Sequence, residues 1–249
     1  MSFARFALTS VCQIQHIPSN FEIHVFSLEF PLNTGQIPAS CQHASTPVLQ
    51  MQNPIVLASA SAIRADLMRN AGVRIQVAPV HVDEAATKSA LLQEGASHRD
   101  IADALADLKA RRAASKHQDR LTLGADQVLS FQDHLLDKPT SPENLVDQLT
   151  DLSGKVHNLF SAAVIYENDR PQWRFIGQAQ MIMRQLSSDF IDQYVDKNWH
   201  EVQHCVGGYQ LEGPGAQLFT RVQGDFFSVL GLPLMEILAY LRTRGDLPT

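Results

Sequence analysis

The amino-acid sequence predicts an α/β fold, on three observations. Apolar runs with strand character alternate with helical patterns from Ile55 onward. The first run, Ile55-Val56-Leu57, breaks at Ser59 and Ser61 directly into a helical pattern, which makes a strand-to-helix corner. A chain of 249 residues that is 45% hydrophobic and 18% charged also has material for a sizeable core, as one large domain or two smaller lobes.

The elements follow in order. Ile63, Leu67, Met68 and Ala71 share one helical face, with Gly72 placed to end the helix. Its first turn presents unpaired N–H groups and the positive end of the peptide dipoles, beside the Ser59 and Ser61 hydroxyls and the Arg64 guanidinium. Such a corner suits an anion, and it equally suits a plain serine cap on a core helix. Residues 73–80 read as a strand that runs out through Pro79 into Asp83-Glu84, two adjacent acids that fit a solvated loop or a metal. Residues 100–116 form a long helical pattern, with Lys109, Arg111 and Arg112 near the end that attracts cations.

Residues 121–129 read as an apolar strand interrupted by Gly124, Asp126 and Gln127. A carboxylate in such a run must meet a cation, a metal, backbone donors or water, because burying it unpaired is costly. Lys138 sits in the loop beyond, and Ser141-Pro142-Glu143 opens the next helix with proline at a tolerated position. Residues 160–166 and 174–183 read as a strand pair, and Ser187 caps a helix through Phe190 and Tyr194. Gly207, Gly208, Gly213 and Gly215 would let backbone approach a ligand or serve ordinary turns. A strand over 218–222, a Gly224-Asp225 turn and a helix over 234–241 close the chain.

The formal charge of −6 argues against broad nucleic-acid binding, so small-molecule chemistry is the better default. Three scattered cysteines without a CxxC pair give neither a disulfide framework nor a cysteine zinc site, and they fit a reducing compartment. No stretch approaches the roughly 20 apolar residues of a membrane-spanning helix. Residues 1–50 carry only Arg5, Glu22 and Glu29 as charged side chains, against 20 basic and 26 acidic residues in the whole chain. They lack the pattern of a signal or transit peptide. We read them as a low-charge N-terminal appendage, disordered or upstream of the true start near Met51, with residues 51–249 as the functional domain.

His200-Glu201-Val202-Gln203-His204 matches H-E-x-x-H, which on a helix would give two zinc ligands and a general base. Gly207 and Gly208 would end that helix within a turn, and the spacing stops at Gln210, so a solvated helix end is the favoured reading.

The segments Leu57-Ala58-Ser59-Ala60-Ser61 with Arg64, Val82-Asp83-Glu84, Lys109-Ala110, Gly124-Ala125-Asp126, Lys138-Pro139, Gly207 with Tyr209, and Val229-Leu230-Gly231-Leu232-Pro233 occur in the order and spacing of the Maf family. The domain resembles that family from about Ile55 to Leu241. The resemblance implies a two-lobed, inosine-triphosphatase-like α/β fold with a central mixed sheet, an interlobe cleft and often a homodimer. It implies cleavage of nucleoside triphosphates to monophosphate and pyrophosphate with Mg2+ or Mn2+, as cytoplasmic house-cleaning of the nucleotide pool, with no stable nucleic-acid partner and no membrane. By resemblance Asp126 is the catalytic base and a metal ligand with Asp83 and Glu84, oxygen donors of the kind these cations prefer. Ser59, Ser61, Arg64, Lys109 and Lys138 would bind phosphate, and Ile63, Gln127 and Glu212 would bear on the base. Gln127 and Glu212 resemble the branch acting on 7-methylguanosine triphosphate, whereas Ile63 lacks the π face that branch tends to place there. A non-catalytic regulator of cell division is the rival from another class.

Overall fold

The computed structural model describes residues 53–248; the expectations for residues 1–50 and for a start at Met51 lie outside the described residues. Strand β1 (Ile55–Leu57) leads into helix α1 (Ala62–Asn70), as the corner predicts. The stop after α1 takes more chain than expected, since Gly72 N donates to Arg69 O and Val73 N to Met68 O. Strand β2 is therefore only Ile75–Val77, and it leaves the sheet once Ala78 N has bonded Leu57 O.

Helix α2 (Glu84–Gln93) was not predicted, because it has no fully buried residue and so no strong apolar period. Asp83 caps it, and Ser97 caps α3 (His98–Ala114). Strand β3 (Thr122–Phe131) turns into a short β4 (His134–Leu136), also not predicted. Then come α4 (Pro142–Leu152) behind its Ser141 cap, the hairpin β5 (Val156–Glu167) and β6 (Arg170–Met183), and α5 (Ser188–Val202) behind Ser187. A loop with two 3-10 turns leads to β7 (Phe219–Gln223), the single-turn α6 (Phe226–Val229) and α7 (Leu234–Arg244).

The strands form one mixed sheet in the order β2-β1-β3-β5-β6-β7, with β4 also on β3. Pairing is parallel for β1 with β2 and β3, and antiparallel elsewhere. On one edge of β3, β1 reaches only Thr122 and Leu123, and β4 begins at Leu129. The edge between them, over residues 124–128, faces no strand. The functional residues gather at this opening.

Because side chains alternate across a strand, β3 sends Gly124, Asp126 and Val128 to one face and Leu123, Ala125, Gln127 and Leu129 to the other. On the first face α3 lies so close that a Cβ on Gly124 would stand 2.2 Å from Ala106 O and 2.4 Å from Ala110 N. Ile101, Leu105, Ala106 and Ala110 pack there against Val128, Ala162 and Val164. The opposite face carries two separate cores. Met68, Ile237 and Leu241 cover Ile55, Leu57, Leu123 and Ile165, while Leu145, Leu149, Leu152 and Ile191 cover Leu129, Leu159 and Met181. The two clusters sit side by side on that face of the sheet. Between them lies a polar seam, in which Ser161 Oγ donates to Ser228 O at 2.6 Å and Gln127 Nε2 to Ser161 Oγ at 2.9 Å.

Candidate active site

The opening in the β3 edge leaves carbonyl groups that a neighbouring strand would otherwise bond. Arg64 takes one of them, with Nη1 donating to Ala125 O at 3.0 Å and to Ser59 Oγ at 3.2 Å while Nε donates to Gly231 O at 2.8 Å. One side chain from α1 thus ties the strand-to-helix corner to β3 and to the C-terminal segment. Burial lowers its pKa from the ordinary value, and the charges of Asp126 and Glu84 oppose that shift. Ser59 is buried, and its hydroxyl also accepts from Ser61 N at 3.3 Å. Ser61 begins α1 without a side-chain capping bond, so its hydroxyl is not committed to the helix.

On the α3 face, Lys109 Nζ lies 2.5 Å from Asp126 Oδ1 and 2.7 Å from Glu84 Oε1. Lys109 and Asp126 are both buried, which answers the demand that the Asp126 carboxylate meet a cation. Burial alone would raise the Glu84 carboxyl, yet the hydrogen bond and charge of Lys109, with Lys88 and Lys138, hold it below its ordinary value. Lys138 stands exposed beyond β4. Its neighbour Asp137 pairs with Lys88 at 2.6 Å, which links α2 to the Lys138 loop. Sequence reasoning missed Lys88, whose signal was its place one helical turn after Glu84.

The three acids predicted as metal ligands are not equally placed. Glu84 and Asp126 converge on one point, whereas Asp83 Oδ1 accepts from Ala86 N at 3.0 Å as the cap of α2. Among the described residues, no group of three or more His, Cys, Asp or Glu stands together as metal ligands would. The same holds for the H-E-x-x-H stretch, because α5 ends at Val202 and His204 lies beyond the last helical turn.

The residues predicted to bear on the base are dispersed. Ile63 packs against the core beneath α1 and α7. Gln127 faces away from Asp126, and its Nε2 also donates to Ser228 O at 3.1 Å and Val229 O at 2.9 Å. Glu212 is exposed in the glycine-rich loop.

Fold and site define a mixed α/β protein with a buried carboxylate–ammonium–carboxylate group and a guanidinium at an open sheet edge, the equipment for handling a polyanion. The chain belongs to the Maf family: the model for Maf-like protein matches residues 54–244. It is 51% identical over 199 residues to a nucleoside triphosphate pyrophosphatase of Ruegeria pomeroyi, covering 80% of this chain and 100% of that protein. A nucleoside triphosphate pyrophosphatase 1 of a Jannaschia species is 48% identical over 77% of this chain and 96% of its own length. A 7-methyl-GTP pyrophosphatase of Rhizobium meliloti is 40% identical over 78% of this chain and 98% of its own length.

Proposed function

We propose that this protein hydrolyses nucleoside triphosphates to nucleoside monophosphate and pyrophosphate, with Mg2+ or Mn2+, as a house-cleaning enzyme of the cytoplasm. The observation that carries the reading is the buried Asp126 held by Lys109 beside Glu84, at the opening where Arg64 and the first turn of α1 meet. Full-length relatives carrying the pyrophosphatase name support it. No helix among the described residues is long and apolar enough to cross a membrane.

Asp126 orients the attacking water and takes its proton. Two carboxylates converging on one cation suit a hard metal ion, since Mg2+ is commonly held by one or two carboxylates plus substrate phosphates. Glu84 and Asp126 would hold it, with Asp83 on the adjoining turn. When bound, it neutralises charge that develops on the phosphate oxygens. Arg64, Lys109 and Lys138 offset the triphosphate charge, and Ser59, Ser61 and the N–H groups of α1 receive its oxygens. Glu212 offers acceptors to the Watson–Crick edge of a guanine-type base and Ile63 offers no stacking face, so base choice rests on hydrogen bonding. A homodimer, as the family resemblance implies, belongs to the same proposal.

The test is a triphosphate panel with Mg2+ or Mn2+, following pyrophosphate and orthophosphate separately for wild type and Asp126→Asn. Pyrophosphate as first product, lost in the variant, is expected. Orthophosphate first, or full activity of the variant, overturns the reading.

A further inference from the structure

His157 is a buried titratable group with no place in the chemistry above. It lies on β5, fully buried in the α4–α5 core, among aliphatic side chains and the rings of Tyr209 and Phe219. Its Nε2 stands 2.7 Å from Tyr209 Oη, and its Nδ1 is buried without a partner among the described residues. Nε2 and Tyr209 Oη therefore share the one hydrogen bond that the buried imidazole makes, its direction following the ring tautomer. Burial lowers the imidazole to about 4, so the ring stays neutral near pH 7.

Tyr209 is the root of the glycine-rich loop. Its ring meets Phe219 edge-on at 4.8 Å, where the loop re-enters the sheet. On its other side, Gly208 O accepts from Tyr194 Oη at 3.1 Å in the buried interior. Gly208 has φ +65°, and a Cβ there would stand 2.0 Å from Leu145, so this backbone is pressed into the core. The loop then folds back on itself, with Gly213 N donating to Gln210 O and Ala216 N to Gly213 O. Gln210 Nε2 ties it to Glu201 O at the end of α5. Glu212 is exposed on this turn.

We propose that His157 is a positioning residue for base selection: its hydrogen bond to Tyr209 fixes the loop that presents Glu212. It touches neither substrate nor metal. The proposal rests on the pyrophosphatase reading and on the role assigned there to Glu212.

The experiment measures kcat and KM for 7-methylguanosine triphosphate and for uridine triphosphate in wild type, His157→Phe, Tyr209→Phe, Glu212→Ala and the His157→Phe/Glu212→Ala double variant. Phenylalanine at 157 keeps a ring against Tyr209 and Phe219 while deleting the bond, and Tyr209→Phe deletes it from the other side. Each is expected to reduce the preference between the two substrates through KM by roughly two- to tenfold, the size of one hydrogen bond, with kcat little changed. His157→Gln, whose carboxamide can donate to or accept from the tyrosine hydroxyl, should recover part of the preference. In the Glu212→Ala background His157→Phe should have no further effect, because two residues acting through one contact are not additive. Leu149→Ala, a cavity in the same core, should lower Tm and leave the preference as in wild type.

Several outcomes overturn the proposal. One is an effect of His157→Phe that persists undiminished without Glu212; another is a preference shift in Leu149→Ala matching that in His157→Phe. A Glu212→Ala variant that loses preference while His157→Phe and Tyr209→Phe keep it overturns the proposal alone. If Glu212→Ala keeps the wild-type preference, the reading of Glu212 falls and the proposal falls with it. A wild type that releases no pyrophosphate removes the reading of function itself.

Discussion

Asp126 and Gln127 are consecutive residues of β3 that face opposite chemistry. The Asp126 face is charged and closed by α3, with one ammonium between two carboxylates. The Gln127 face is neutral: a carboxamide, serine hydroxyls, backbone carbonyls and a neutral imidazole form its polar contacts. On one side, burial concentrates electrostatic energy in a few groups; on the other, many weaker bonds hold two apolar clusters and a loop in register. The charged face should therefore fail abruptly when one group is removed, and the neutral face should fail gradually.

The largest effect is expected from Asp126→Asn, which keeps the shape and removes the base. Loss of general-base catalysis lowers kcat on the order of 10²- to 10⁴-fold, read as pyrophosphate release. Lys109→Met tests whether the charged face is also structural. It leaves a buried carboxylate without its cation and should cost about 3–5 kcal/mol in urea unfolding. A loss close to that of an exposed pair would break the contrast between the faces.

The neutral face has its own signature in pH. The folded pKa of His157 is lowered from 6.5 to about 4, so between those values the unfolded chain binds a proton that the folded chain refuses. Its contribution to stability is present above pH 6.5 and is lost as the pH falls toward 4, by roughly 3 kcal/mol in total. His157→Phe should flatten that limb in pH-dependent unfolding. Gln127→Leu should cost about 1–3 kcal/mol by leaving the seam's acceptors without their donor. Asp83→Asn should be the mildest, since asparagine caps a helix about as well as aspartate, with stability unchanged to within about 0.5 kcal/mol. A rise in the Mg2+ concentration for half-maximal activity would then report the lost charge alone.

What could be read from the sequence was what is local. The strand-to-helix corner, the helix start at Ser141-Pro142, the cap at Ser187, and the hairpin of β5 and β6 depend on neighbours within a few residues, and the structure has them. Asp126 announced itself because a charge inside an apolar strand needs a partner, although which partner was not legible. Helix α2 escaped for lack of a buried face, and β4 because three residues carry no period. The joints of the site are distant in sequence: Gln127 reaches Ser228 across 101 residues, and Arg64 reaches Gly231 across 167. No spacing rule encodes such pairs. The family resemblance supplied Lys109, Lys138 and Glu212 by position, and the structure adds that Lys109 bridges two acids while Glu212 stands on a loop rooted in the core.

Gly124 holds no functional group, yet it acts as a caliper for the site. The atoms nearest its missing methyl belong to the backbone of Ala106 and Ala110, and Lys109 immediately precedes the second of these. Any side chain there would wedge α3 away from the sheet and carry the ammonium with it, out of reach of Asp126. The tolerance of this chemistry is thus set two residues upstream of the base, by an absent carbon atom.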